Sequence, residues 1–417
     1  MPTSPMRPTD RKHAAPGSIA RGTSDYRRLS LALLVAGFST FALLYDVQPL
    51  LPLYASSYEV NAAEASLAVS LGTGAMALAF IPAGILSDRI GRRPVMITSL
   101  FASALLTILS GVLPGWHTLL VMRALTGVAL AGVPSVAMAY VAEEVDVLSV
   151  GSAMGLYVAG SAIGGMAGRL GVTAVSDIFG WRQALGGMGA VGLLVAVCFC
   201  LAAPRSRAFV PVRHDGRSLV AATGRLLKDA ALPWLYLEGF LLMGAFVTIY
   251  NYLGFRLQAP PYSLSQTAVG SIFLLYIIGS FSSAWFGGLA GRIGRRKVFW
   301  MPITALAGGI ALAATHPLPA VIVGIAVITG AFFAAHSTAS SWVGRRAPED
   351  RAQASSLYLL FYYLGSSILG SIGGLAWSWG AWPAVILFAG ALSLGALAIA
   401  VRLAGVPPRA EPAGARA

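Results

Sequence analysis

Inside the long apolar runs of this sequence only a handful of side chains can hold a charge, and they set the chemistry available. Asp46 lies in Leu43-Leu44-Tyr45-Asp46-Val47-Gln48-Pro49-Leu50-Leu51-Pro52, and Arg123 opens the run Arg123-Ala-Leu-Thr-Gly127-Val-Ala-Leu-Ala-Gly132. A carboxylate opposite a guanidinium in a partly dry cavity releases its partner on protonation, which couples a proton to a change of shape. The competing reading of Asp46 is a carboxylate that hydrates itself at an outer mouth. Glu238 lies early in another apolar run, either as a second protonatable acid or as a side chain that snorkels to the interface. His336 titrates near neutral pH when unperturbed, although a lone histidine also serves as a hydrogen-bonded packing residue.

The elements that must position these residues are membrane helices. Hydrophobic residues make up 57% of the 417 and charged residues 11%, too few charges to coat a soluble domain. Apolar windows predict helices over 29–54, 63–87, 94–113, 117–142, 148–171 and 183–203, then 232–255, 265–290, 297–315, 318–343, 353–377 and 381–402. The reading is an all-α integral membrane protein with twelve spans in two pseudo-symmetric six-helix bundles. Residues 1–28 are a disordered cytoplasmic tail, 29–203 the first bundle, 204–231 a cytoplasmic linker, 232–402 the second bundle and 403–417 a second tail. Within the linker, Ser218–Lys228 reads as a surface-lying helix or an untethered connector.

Lys and Arg crowd one side: Arg7, Arg11, Lys12, Arg89, Arg92, Arg93, Arg205, Arg213, Arg225, Arg345 and Arg346 fall in the tail, hairpins and linker. Arg169, Arg182 and Arg256 alone are left for the outer side, so both termini are cytoplasmic. The net charge of +13 is therefore a matter of topology, not of nucleic-acid binding. On this geometry Asp46 lies about 25 Å along helix one and Arg123 a short way into helix four from the outer side, at similar depth. Cys198 and Cys200, on one helix, read as small buried apolar groups.

Gly84-Ile85-Leu86-Ser87-Asp88-Arg89-Ile90-Gly91-Arg92-Arg93 recurs in decayed form as Gly287-Gly288-Leu289-Ala290-Gly291-Arg292-Ile293-Gly294-Arg295-Arg296. A basic hairpin repeated halfway along the chain indicates two homologous halves. Asp88 can pair with a basic group at a neighbouring helix end, and Arg92 and Arg93 can meet helix C-terminal carbonyls; topology alone would also place arginines here. Helix five runs Gly151-Ser-Ala-Met-Gly155-Leu-Tyr157-Val-Ala-Gly160-Ser161-Ala-Ile-Gly164-Gly165-Met-Ala-Gly168-Arg169, and its small residues suit close packing at the interface between the halves.

These motifs, in this order, resemble the major facilitator superfamily of transporters over Leu29 to Arg402. The runs Tyr45–Pro52, Gly155-Leu156-Tyr157, Ile163–Arg169, Asn251–Phe255, Phe332–Ser337 and Tyr362-Tyr363-Leu364-Gly365 are similar to its YnfM, or acriflavine-sensitivity-like, branch near the drug–proton antiporters. The resemblance implies alternating access around a central cavity, driven by protons. It makes Gly84, Asp88, Gly91, Arg92 and Arg93 a conformational latch and links Arg123 to proton transfer, beside which Asp46 and Glu238 stand as proton-coupling candidates from their own positions. Gly160, Gly164 and Gly165 match the glycine-rich helix of the antiporters, with Ser161 where a proline is characteristic. Tyr45, Gln48, Tyr157, Asn251, Tyr252, His336, Tyr358 and Tyr362 are candidates for the substrate cavity, though aromatic side chains are equally at home facing lipid.

The expected activity is proton-coupled efflux of small organic compounds from a bacterial inner membrane by a monomer; the alternative is a proton-coupled importer or facilitator of a metabolite. An enzyme is excluded by the lack of a catalytic cluster: the sequence carries no HExxH, P-loop or His/Cys metal set. Neither cofactor nor metal is expected, and the partners are substrate, protons and lipid.

Overall fold

A computed structural model describes residues 19–407 apart from 147, 208 and 212–215. Most of the first tail, with Arg7, Arg11 and Lys12, lies outside the described residues, as do Arg213 and 408–417. The described residues are helical with no β-sheet; the one extended contact among them is an isolated bridge between Ile19 and Val145. Residues 19–28 therefore leave the expected tail: Ile19 bonds the backbone of Glu144 and Asp146, and Thr23 caps the first helix by accepting from the Tyr26 N–H.

The helices are α1 (Ser24–Tyr45), α2 (Leu51–Tyr58), α3 (Ala62–Ile90), α4 (Arg92–Val112), α5 (Trp116–Leu130), α6 (Ala137–Glu144), α7 (Val150–Phe179) and α8 (Trp181–Ala202). After α9 (Gly216–Leu227) come α10 (Leu232–Gln258), α11 (Gln266–Ser271), α12 (Tyr276–Ile293), α13 (Arg295–Val298), α14 (Trp300–Ala313), α15 (Leu318–Arg346), α16 (Arg351–Leu364) and α17 (Gly370–Gly405). Among the described residues, nine helices are long and apolar enough to cross a membrane. The longest, Arg351–Gly405, is broken by non-helical backbone at Gly380 and Ala381, and α5 and α14 are apolar but shorter.

Local sequence explains the ends. Asn61 and Glu64 cap α3 reciprocally, each side chain accepting from the other's N–H. Gly91 and Gly294 join helices at φ 104° and 99°, backbone that a Cβ would strain, and they occupy equivalent places in the two hairpins. The helix expected over 117–142 is instead two pieces. Gly132 and Pro134 fall between α5 and α6, and Pro134 has no N–H to continue the ladder. Helix five runs to Phe179, well past the expected 171, before Gly180 ends it.

Packing repeats along the chain. α1 lies on α7, α3 on α5 and α4 on α8; later, α10 lies on α16 and α17, α12 on α15 and α14 on α17. The hairpins repeat it too: Arg93 donates to the carbonyls of Cys200 and Ala203 at the end of α8, and Arg296 to Ala404 at the end of α17. The connector forms α9, beginning two residues before the expected Ser218, and it is tied down: Arg225 meets Asp350 at 3.0 Å and Gln353 donates to Thr223.

Asp229, just before α10, accepts from the N–H groups of Ala231 and Leu232 and from Arg346 Nε at 3.0 Å. Partial burial works to raise its pKa, but these donors outweigh it and hold the carboxyl below its ordinary 3.8. A depressed folded pKa gives stability that is present above the unfolded value and lost as pH falls through the folded one. Asp229→Asn keeps the cap and removes the charge, so its melting temperature near neutral pH should fall by about 2 °C. That deficit should shrink in melts below pH 3.8.

Candidate functional site

The centre of the molecule is built on a broken helix. Pro49 has no N–H to give the Tyr45 carbonyl, and Pro52 leaves the Gln48 carbonyl in the same position. Helix α1 accordingly stops at Tyr45, a 3-10 turn covers Gln48–Leu50, and α2 resumes at Leu51. The end of α1 exposes carbonyls that its own ladder does not use. Arg123, from α5, answers them: it donates to Leu43 at 3.0 Å, to Leu44 at 2.6 Å and to Ala68 of α3 at 3.2 Å. Each such charge-assisted bond contributes about 1.5–3 kcal/mol.

Asp46 sits at the break, with its carboxylate 3.2 Å from Arg123 and both side chains fully buried. Neither carboxylate oxygen has a hydrogen-bond partner among the described residues, so proximity and charge hold the pair while the guanidinium's donors go to backbone.

Two residues further on, Gln48 bridges. Its Oε1 accepts from Arg169 Nε of α7 at 2.8 Å, and its Nε2 donates to Asn251 Oδ1 of α10 at 2.8 Å. Arg169 also donates to Gly165 O and lies over the rings of Tyr45, Phe273 and Tyr276, 4.4, 4.8 and 5.1 Å from their centroids. This overturns its expected place at the outer surface: α7 continues another ten residues beyond it, which puts the guanidinium inside the bundle.

Contacts between the first helices (α1–α8) and the later ones (α10–α17) gather at the end far from the Arg92 hairpin. Besides Gln48–Asn251, Gln266 donates to Pro49 O, Thr267 to Asp177 at 2.5 Å and Ser367 to Ser70 O at 2.7 Å. Gly270 meets Thr173 there. At the hairpin, Arg92 holds Asp88 of its own turn, Ser87 at 2.7 Å and Glu143 of α6 at 2.7 Å. Arg92 therefore meets carboxylates, while Arg93 takes the helix-end carbonyls. A Cβ at Gly84 would meet nothing within 4 Å, so no close approach requires that glycine in this arrangement.

The α7 glycines pack within the first helices, not between the halves. A Cβ at Gly160 or Gly164 would strike the backbone carbonyl of Leu34 or Phe38 of α1, and one at Gly168 would meet Ala42. Gly165 lies on another face, beside Arg169. Ser161, at the proline position, donates to Tyr157 O.

Glu238 stands apart from the Asp46–Arg123 pair. It is fully buried on α10 and does not snorkel; neither oxygen has a hydrogen-bond partner among the described residues. His336 Nδ1 lies 3.0 Å from Tyr358 Oη, and the imidazole packs on Tyr362 with centroids 4.5 Å apart. Phe246 and Phe332 stack beside them at 3.9 Å. Tyr157 is buried on α7. Tyr252 is not part of this group: it donates to Gly370 O and stacks on Trp377, which commits it to packing α10 against α17.

Helices of this length and apolarity, packed in a repeated pattern around buried charge at a helix break, belong to an all-helical membrane protein. The sequence profile of the Major Facilitator Superfamily matches residues 29–262 and 259–417, and the chain belongs to that superfamily. It is 43% identical to the MFS-type transporter YybF of Bacillus subtilis (strain 168) over 88% of this chain and 91% of that one. It is 41% identical to the inner membrane transport protein YnfM of Escherichia coli (strain K12) over 92% of each. Among solved structures, the nucleoside transporter NupG superposes with TM-score 0.71 at 16% identity, over 89% of this chain and 98% of NupG. A bacterial homologue of the human lysosomal transporter Spinster, in an inward-facing unoccupied conformation, gives 0.72 at 17% identity, over 91% and 95%. The protein is a transporter and not an enzyme.

Gly164→Val should cost about 1–3 kcal/mol, because the added atoms meet main chain that has no rotamer to yield. Gly187→Ala, at a site with nothing within 4 Å, is the control. Thermal melts of the two purified variants check this.

Proposed function

We propose that this chain is a proton-coupled secondary transporter that exports small organic compounds by alternating access. The observation that carries the reading is the fully buried Asp46–Arg123 pair, 3.2 Å apart, at the break of α1 and two residues from Gln48, which bridges to α10. Protonating Asp46 removes the charge beside Arg123 and frees that guanidinium from its carboxylate. Arg123 also holds the end of α1, so the change is felt by the segment carrying Gln48.

On this reading the protein has twelve spans in two six-helix bundles, 29–203 and 232–402. The count takes the long Arg351–Gly405 element as two spans at Gly380–Ala381 and adds α5 and α14 to those already long enough. Both termini and the hairpins face the cytoplasm, and the working unit is a monomer. Contacts at the far end seal the outer side in this arrangement, and Asp88, Arg92 and Glu143 stabilise it as a latch. The buried Glu238 takes part at a second site in the later bundle.

The test uses everted membrane vesicles with an acidified interior and a compound found by screening in an efflux-deficient host. Adding the compound should alkalinise the interior, and Asp46→Asn should reduce that signal at least about tenfold, the scale of losing one transition-coupled charge interaction. Glu238→Gln should have a smaller effect. Wild-type coupling and pH dependence in Asp46→Asn would remove Asp46 from the mechanism; a signal of opposite sign would make the protein an importer.

A further inference from the structure

Arg169 is a buried cation whose described contacts contain no carboxylate. Its hydrogen bonds go to the neutral oxygens of Gln48 and Gly165, and three rings cover its faces. The acid at this level, Asp46, lies 3.2 Å from Arg123, and Arg169 feels its charge only at longer range. Glu238 lies 13 residues earlier on α10 than Asn251, about 20 Å along the axis. The centre thus holds two guanidiniums against one carboxylate, and a buried charge is costly without a counter-charge.

The polar atoms around it tilt the same way. Asn251 Nδ2, a group that only donates, is buried with no hydrogen-bond partner among the described residues. The Ser70 hydroxyl, which can donate or accept, is also without a partner among the described residues. Asn251 Nδ2 and Ser70 Oγ converge over Gly370, 3.3 and 3.8 Å from where a Cβ of that residue would sit. The unpartnered acceptors at this level, the Asp46 oxygens, lie against Arg123, which leaves Asn251 Nδ2 without an acceptor and Arg169 without a carboxylate of its own. The aromatic walls, Phe273 and Tyr276 near Arg169 and Phe246, Phe332 and Tyr362 towards the hairpin end, suit a flat molecule.

From this we infer that Arg169 is the anion-binding residue of this buried centre and that the substrates are small aromatic carboxylates. The acid displaces Gln48 Oε1 from the guanidinium, and since Gln48 also holds Asn251, its arrival loosens the bridge between α1 and α10. This deepens the transport reading above by naming the substrate class, and it rests on that reading for this centre being a transport site.

Equilibrium binding to the purified full-length protein in detergent tests it, read as a ligand-dependent rise in melting temperature. The probes are benzoate and salicylate, with benzamide and benzylamine as uncharged and cationic counterparts. The two acids should bind and the two counterparts should not. Arg169→Gln should weaken acid binding by roughly 10- to 100-fold, and Arg169→Lys, which keeps the charge without the fork, by less. Gln48→Leu, which removes the competing acceptor, should tighten it, an effect no folding defect produces. Undiminished binding in Arg169→Gln, equal binding of benzamide, no tightening in Gln48→Leu, or no acid binding to the wild-type protein would each overturn the inference. Binding needs no gradient, so acids held through Arg169 in a protein that moves no protons would sink the coupling mechanism and leave this site standing. Proton movement driven by cationic compounds would do the reverse.

Discussion

A guanidinium cannot lie fully buried unless something answers its N–H groups, and the arrangement of the centre follows from how Arg123 meets that demand. Two of its three carbonyl partners lie at the end of α1, which stops at Tyr45 because Pro49 and Pro52 follow, and the third is Ala68 of α3. The same break sets Asp46 beside the guanidinium and turns Gln48 towards Arg169 and Asn251. Two prolines thus place one cation, one acid and one bridging amide. An unbroken helix would hold none of them in this way.

The two halves of the chain repeat a packing scheme without repeating its chemistry. Arg93 and Arg296 close equivalent helix ends, yet Arg92 faces Asp88 and Glu143 whereas Arg295 donates to Ser341. The broken first helix has no counterpart in the unbroken α10, which contributes an amide, aromatic side chains and the separate buried acid Glu238. Charge management is concentrated in the first half and the aromatic surface in the second.

What the sequence made legible was whatever depends on local composition: the apolar spans, the repeated hairpin, the superfamily, and the depth argument that set Asp46 opposite Arg123. What it hid depends on where helices end and which face they turn. Helix five outran its expected boundary, so Arg169 read as a surface charge; an arginine next to the close-packed Gly168 was the available signal. Gly132 and Pro134 divided a span that hydropathy alone joined. Glu143 meets Arg92 across 51 residues of chain, and Tyr252 turns to Trp377 instead of the Arg169 centre, neither of which any local pattern encodes.

The glycine contact between α1 and α7 has a mechanical consequence. At Gly160 and Gly164 main chain rests on main chain, with no side-chain cushion to shear. Helices meshed in this way resist slippage and turn together like a keyed shaft. Asp46 follows the end of α1 and Arg169 directly follows the close-packed Gly168 of α7, so both charges lie at the same end of this main-chain contact.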